Sequence, residues 1–272
     1  MENKHLAIEN LKPEDIERMS YNEIIALVRE TNRPPGGRNS IFELLNRLFI
    51  NETSKILEIG TSTGFTSLEI SRLIRCQITS IDINQESLNE AERRAKEEGF
   101  NNIMFIRADI CNTPFKDNEF DLVIIGNVLS IVSERQKAFK ECIRICKKKG
   151  FLAAIPMYYL KEPSEELIKN ISDAIKVSIK PYYKSDWINF LNISNLEMFW
   201  QRDFRFDYIS DEKINSFVED ILQRPHLNGL RIESYESLKR IYKKYMFLFR
   251  ENLSKMGFSI FILTNKQVWE DP

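Results

Sequence analysis

The sequence predicts an α/β three-layer sandwich: a mostly parallel sheet of seven strands, helices on both faces, and helical lid elements from the flanks. Three observations carry this. From Lys55 to Pro156, short apolar runs alternate with amphipathic stretches of about ten to fifteen residues, the rhythm of repeated βαβ units. Right-handed crossovers then place helices on both faces. Beyond Pro156 come two more extended runs, with helices before the last. Glycine is also scarce, nine in 272 residues where average usage gives roughly 19, so a glycine here is expected to mark a backbone position that needs it more often than in an average chain.

The elements follow in order. Lys55–Gly60 (KILEIG) reads as a buried first strand and Phe65–Arg75 as a helix with Leu68, Ile70, Leu73 and Ile74 inward. Gln77–Ile83 is a second strand. Asn84 caps a charged helix that Gly99 stops. Ile103–Asp109 and Phe120–Gly126 are the third and fourth strands. Ser133 caps a helix to Lys149, closed by Gly150, before the fifth strand, Phe151–Pro156. Residues 1–50 read as an N-terminal helical cap of two or three helices, split by Arg33-Pro34-Pro35-Gly36-Gly37. Residues 51–156 form the core, and 157–272 an elaboration that completes the sheet. That elaboration holds a helix near 164–177, a Pro-Tyr-Tyr-Lys-Ser-Asp-Trp segment, a strand near 198–206, a helical insertion at about 211–255, and a last strand, Phe258–Thr264.

Composition narrows the function. Thirty-nine basic against 40 acidic residues leave a net charge of −1, without the basic excess of a dedicated nucleic-acid binder. Four cysteines form no CxxC pair and accompany two histidines, so no metal site is expected. No apolar run approaches the ~20 residues of a membrane span, and the N-terminus lacks a signal peptide's apolar stretch. A cytoplasmic protein is the expectation, and whether it forms a homodimer is left open.

The turn after the first strand carries the chemistry. Ligands of open α/β sheets bind outside the strands' carboxyl ends, where helix N-termini offer unpaired N–H groups. Gly60-Thr61-Ser62-Thr63-Gly64 is weighed against three chemistries. A nicotinamide-dinucleotide oxidoreductase wants G-x-G-x-x-G, and this turn lacks its second and third glycines. An α/β-hydrolase wants G-x-S-x-G with a later acid and histidine, and His226 is the only downstream histidine.

The third fits further. Glu58-Ile59-Gly60-Thr61-Ser62-Thr63-Gly64 resembles the first motif, E/D-x-G-x-G-x-G, of class I S-adenosylmethionine (SAM)-dependent methyltransferases of the small-molecule type, with Ser62 replacing the middle glycine. The resemblance continues at the right intervals. It implies that Asp82, followed by Ile83, holds the ribose hydroxyls, Asp109 the adenine amino group with Ile110 against the ring, and Asn127 the methionine moiety. It also implies an antiparallel last strand beside the sixth. Gly36 and Gly37 match a glycine pair that lies along the methionine end in many such enzymes, with Arg33 or Arg38 near its carboxylate. A plain Pro-Gly turn is an equal reading of that segment.

For such an enzyme the main tasks are alignment and exclusion of water. A base is needed only for a protonated acceptor. Tyr158, Tyr159, Asp186 and His226 are the candidate catalytic residues. The aromatics Tyr182, Tyr183, Trp187 and Trp200 either pack in the core or cage a cationic amine. No Asn/Asp-Pro-Pro-Tyr/Phe motif or Pro-Cys nucleophile follows the fourth strand, which disfavours DNA. A small-molecule acceptor is the expectation, with RNA or protein as the alternative target.

Overall fold

The computed structural model describes residues 8–192 and 196–265. These divide into two compact units. The sheet unit takes Thr31–Glu162, Pro181–Phe206 and the stretch from Met256. The helical unit takes the stretch to Glu30, Pro163–Lys180 and Asp207–Lys255.

In the sheet unit the strands are β1 (Lys55–Ile59), β2 (Gln77–Asp82), β3 (Ile103–Arg107), β4 (Phe120–Ile125), β5 (Cys146–Ala154), β6 (Met157–Tyr159), β7 (Leu196–Arg205) and β8 (Met256–Asn265). β3, β2, β1, β4 and β5 run parallel in that order. β8 lies antiparallel to them. On one edge it pairs first with β5 and then with β6, which continues the line of β5; along its other edge it pairs with β7. The expected antiparallel last strand is therefore present, beside both the fifth strand and the late one.

Alternation along the strands builds a core on each face. Leu57, Ile59, Val123 and Ile125 point to one, with Ala138, Phe139 and Cys142 of the helix Arg135–Ile145. Ile56, Leu122 and Ile124 point to the other, with Ile41 and Leu44 of Gly37–Leu45 and Ile70 of Phe65–Leu73. In the helical unit, Pro13–Arg18, Tyr21–Leu27, Asp211–Leu222 and the long helix Ile232–Ser254 close around Ile16, Ile24, Val218, Leu238 and Tyr242. No described helix is long and apolar enough to cross a membrane.

Several local expectations are corrected. The helix expected to reach Lys149 ends at Ile145, and Cys146–Lys149 open β5, where Lys147 pairs with Asp121. Cys142 and Cys146 therefore sit on a helix and a strand rather than one turn apart on a helix. Ser133 is not the cap: Glu134 occupies that place without a side-chain bond. The third strand stops at Arg107. The segment at 181–187 enters an unforeseen helix, Lys184–Leu191, and β6 makes the sheet eight-stranded by count.

Candidate functional site

β1 runs into a turn of alternating left-handed residues, Gly60 at φ +73°, Ser62 at +47° and Gly64 at +82°. The Gly60 and Thr61 N–H groups both donate to the Ile81 carbonyl, at 2.8 and 3.0 Å, so the turn folds back over the end of β2. A methyl group on Gly60 would overlap the Val128 Cγ2 methyl. At Gly64 it would lie 2.9 Å from Ala91 Cβ, which lets the helix Gln85–Glu97 approach closely. Ser62 stands where the motif has glycine, and its backbone takes the conformation glycine favours, at a cost of about 1–2 kcal/mol. Its hydroxyl accepts from Asn32 Nδ2 at 3.3 Å. No histidine bonds to it among the described residues, so the turn is not built as a nucleophile elbow.

Glu58 and Thr61 support the turn from beneath. Both are buried. Glu58 Oε2 accepts from Thr61 Oγ1 (2.7 Å), Ser67 N–H (3.1 Å) and Ser80 Oγ (3.2 Å). Burial pushes this carboxyl above its ordinary range, while the donors pull it back.

Asp82, at the end of β2, faces the turn. One carboxylate oxygen accepts the Ser62 N–H and the other the Asn84 N–H, both at 2.9 Å. A carboxylate has about four acceptor positions, so half remain for a ligand. Ile83 beside it is 68% exposed, an apolar side chain left in solvent. Asn84 caps its helix through Ser87 N–H, as expected.

Asp109 lies two residues past β3, exposed, with Oδ1 accepting from Cys111 N–H at 2.8 Å. Ile110 is buried in the core cluster that also holds Ile81, and Ile83 is the exposed apolar side chain at this rim. After β4, Asn127 Oδ1 accepts from Ser130 Oγ (2.6 Å) and Met157 N–H (3.0 Å).

The Pro-Gly segment reaches the same turn. Gly36 and Gly37 both have positive φ, and Gly37 N–H closes a turn on the Pro34 carbonyl. A side chain at Gly36 would strike Ser40 and lie 2.6 Å from Phe258 Cζ. Just before it, Asn32 N–H donates to Thr63 Oγ1 at 3.2 Å. Asn32 and Thr63 are thus site-building residues that pattern reading passed over, since a lone Asn or Thr in a loop carries no spacing signal. Arg38 is not free for a carboxylate of a ligand: its guanidinium grips the buried Glu69 with two bonds. Arg33 lies over the Phe65 ring, 5.7 Å from its centre.

The four candidate catalytic residues are all engaged in structure. Tyr158 and Tyr159 are buried. The Tyr158 hydroxyl lies 3.0 Å from Ser259 Oγ and 3.3 Å from the Phe258 carbonyl, and burial pushes its phenol upward. Asp186 accepts the Tyr183 N–H at 2.7 Å and caps Lys184–Leu191. His226 belongs to the helical unit, where Nε2 lies 3.1 Å from the Leu27 carbonyl. Of the four aromatics considered for a cage, Tyr182 and Trp187, joined by Phe190, surround a cation of the protein's own, whereas Trp200 lies under Arg47. Arg135 lies 4.0, 4.7 and 5.5 Å from the ring centres of Tyr182, Trp187 and Phe190. Among the described residues no cluster of three metal-ligating side chains occurs.

A strand order of 3-2-1-4-5 closed by an antiparallel strand, with a left-handed turn and an acid at the ends of β1 and β2, defines the class I methyltransferase architecture. Residues 57–154 match the Methyltransferase domain family. The chain is 24% identical over 230 residues to an uncharacterised Haemophilus influenzae protein, covering 81% of this chain and 90% of that one. It is 32% identical over 130 residues to the ubiquinone/menaquinone biosynthesis C-methyltransferase UbiE of Coxiella burnetii, 47% of this chain and 51% of the relative. It thus spans only about half of that enzyme. Among solved structures it resembles MccD protein (TM-score 0.71, 23% identity, 86% of this chain and 100% of the other). Another is Haemonchus contortus phosphoethanolamine N-methyltransferase 2 in complex with SAM (0.67, 17%, 94% and 58%). The family match thus lies within the parallel part of the sheet, and the fold is the one seen in structures of SAM-dependent methyltransferases.

Proposed function

We propose that this chain transfers the methyl group of SAM to a small-molecule acceptor by in-line displacement. The observation that supports it most is Asp82: a carboxylate tied to the left-handed turn through Ser62 N–H, with acceptor capacity left toward the crevice. The residues fit the cofactor. Asp82 would take the ribose hydroxyls, Ile83 and Asp109 the adenine, and the Gly60–Gly64 backbone, Asn127 and Gly36–Gly37 the methionine end. Ile110 supports that rim from the core, and Glu58 and Thr61 hold the turn's shape.

Bound SAM supplies a methyl group on a positively charged sulfur. An acceptor's lone pair would take that methyl group, with the thioether as leaving group. The chain's own work is alignment and exclusion of water. In the sheet unit Tyr158, Tyr159 and Asp186 are committed to packing or capping, which supports positioning over general-base catalysis. The helical unit's His226 is likewise bonded within its own unit.

Calorimetry on Asp82→Ala tests the cofactor assignment. SAM affinity should fall by about 1–3 kcal/mol, the range for losing hydrogen bonds to a charged group, with Asp82→Asn between. An unchanged affinity in a folded variant removes the assignment. Incubation with methyl-labelled SAM and a metabolite extract tests the target: label in a small molecule is expected, and label in RNA or protein would overturn the small-molecule reading.

A further inference from the structure

The arginine inside the aromatic cage grips no carboxylate among the described residues. Among the described residues, Arg135 makes one hydrogen bond, Nε donating to the Leu129 carbonyl at 2.7 Å, and no ion pair. Other arginines of the sheet unit, Arg38, Arg72, Arg93 and Arg144, each grip a carboxylate. A half-buried guanidinium without one is costly unless something else stabilises it. Here ring faces do so: Tyr182 lies nearest, then Trp187 and Phe190.

The cage is joined to the Asn127 loop by a closed circuit of contacts. Asn127 takes the Met157 N–H (3.0 Å), and Trp187 Nε1 donates to the Met157 carbonyl (3.1 Å). Trp187 lies under Arg135, and Arg135 returns to Leu129, two residues after Asn127. The loop assigned to the methionine end and the aromatic wall are thus one connected frame. The rings and the Leu129 carbonyl fix the guanidinium plane, and its terminal nitrogens have no protein partner among the described residues. A planar fork held this way is pre-organised for a bidentate oxyanion.

We propose that Arg135 recognises an anionic group, a carboxylate or phosphate, on the methyl acceptor. This rests on the methyl-transfer reading and adds the substrate's charge class. The cage would therefore not take a cationic amine, because its own arginine fills it.

The test uses the full chain with methyl-labelled SAM and a metabolite extract, the products being separated on an anion-exchange resin. Label should be retained on the resin, and phosphatase treatment then separates a phosphate from a carboxylate. Arg135→Gln keeps a donor for the Leu129 carbonyl and removes the charge. Its kcat/KM on the labelled acceptor should fall ~10- to 100-fold, as expected for a lost charged hydrogen-bond pair, with SAM affinity within about threefold. Arg135→Lys, charged but unforked, should lie between. Label in an unretained product, or Arg135→Gln turning over as fast as the wild type, overturns the proposal. Should Arg135→Gln lose SAM binding, Arg135→Lys decides, and wild-type kcat/KM there overturns it. Absence of label in every fraction would overturn methyl transfer to small molecules itself, a failure distinct from a neutral product.

Discussion

Gly60→Ala probes the turn most directly. Two penalties add in this variant. A non-glycine residue at φ +73° costs about 1–2 kcal/mol, and the new methyl overlaps Val128 Cγ2, an overpacking cost of about 1–3 kcal/mol. The sum is about 2–5 kcal/mol. Val128 Cβ itself would stand 3.6 Å from the new methyl, ordinary contact. Trimming Val128 to alanine should therefore remove the overlap while leaving the backbone strain. Alone, Val128→Ala deletes two half-buried methyls, about 1 kcal/mol. The double variant is then expected at about 2–3 kcal/mol, less than the two single changes together, with a coupling of about 1–3 kcal/mol. Thermal melts of the four proteins, with SAM titrations alongside, measure the cycle. Strict additivity would refute the overlap, and a Gly60→Ala protein as stable as the wild type would refute the left-handed turn.

Ser62→Gly removes left-handed strain and a weak tie to Asn32, so it should stabilise the protein by about 0–1 kcal/mol; a loss beyond about 1 kcal/mol in the melt would show that the Asn32 contact outweighs the strain. Glu141 accepts from Thr113 and Arg144, and the Arg144 guanidinium beside it brings its carboxyl down to about 2. Its folded pKa is depressed, so its contribution is present above the ordinary 4.5 and lost as pH falls toward about 2. Glu141→Gln should accordingly melt earlier than the wild type at pH 7, with the gap closing across that window; a gap constant with pH would contradict the assignment.

What sequence could and could not show divides by the range of the interaction. The parallel core was legible because Ile56, Leu57, Ile59 and the β4 run Leu122–Ile125 are apolar whichever face they meet, and because Gly60, Gly64 and Asp82 recur at fixed intervals. Cys146–Lys149 misled for a local reason. A lysine run after an amphipathic helix complements the helix dipole, whereas Lys147 is fixed by Asp121, a partner 26 residues away. The helix at Lys184–Leu191 hid behind Pro181 and two tyrosines, and its capping by Asp186 is visible only in three dimensions. At the site, spacing singled out Asp82 and Asn127. It passed over Arg135, because a stacked, unpaired arginine and a salt-bridged one read alike in a helix's first turn. Ser62 looked like the chief departure from the motif; its positive φ shows that the backbone kept glycine's geometry without glycine.

The position of β8 has a consequence for how the chain assembles. This strand is paired along both edges, yet it is the last described strand to be synthesised, after β5, β6 and β7. Until residues 256–265 leave the ribosome, β5 and β7 each present an open hydrogen-bonding edge, the kind that recruits foreign strands. β5 is the more exposed of the two to this hazard, since its 151–154 segment (FLAA) is apolar, whereas β7 carries Glu197, Arg202, Asp203 and Arg205 along its length. Yield during expression should accordingly be limited by the interval between making Ala154 and delivering β8, with slower elongation across residues 155–265 lengthening the exposure of one unfinished sheet edge.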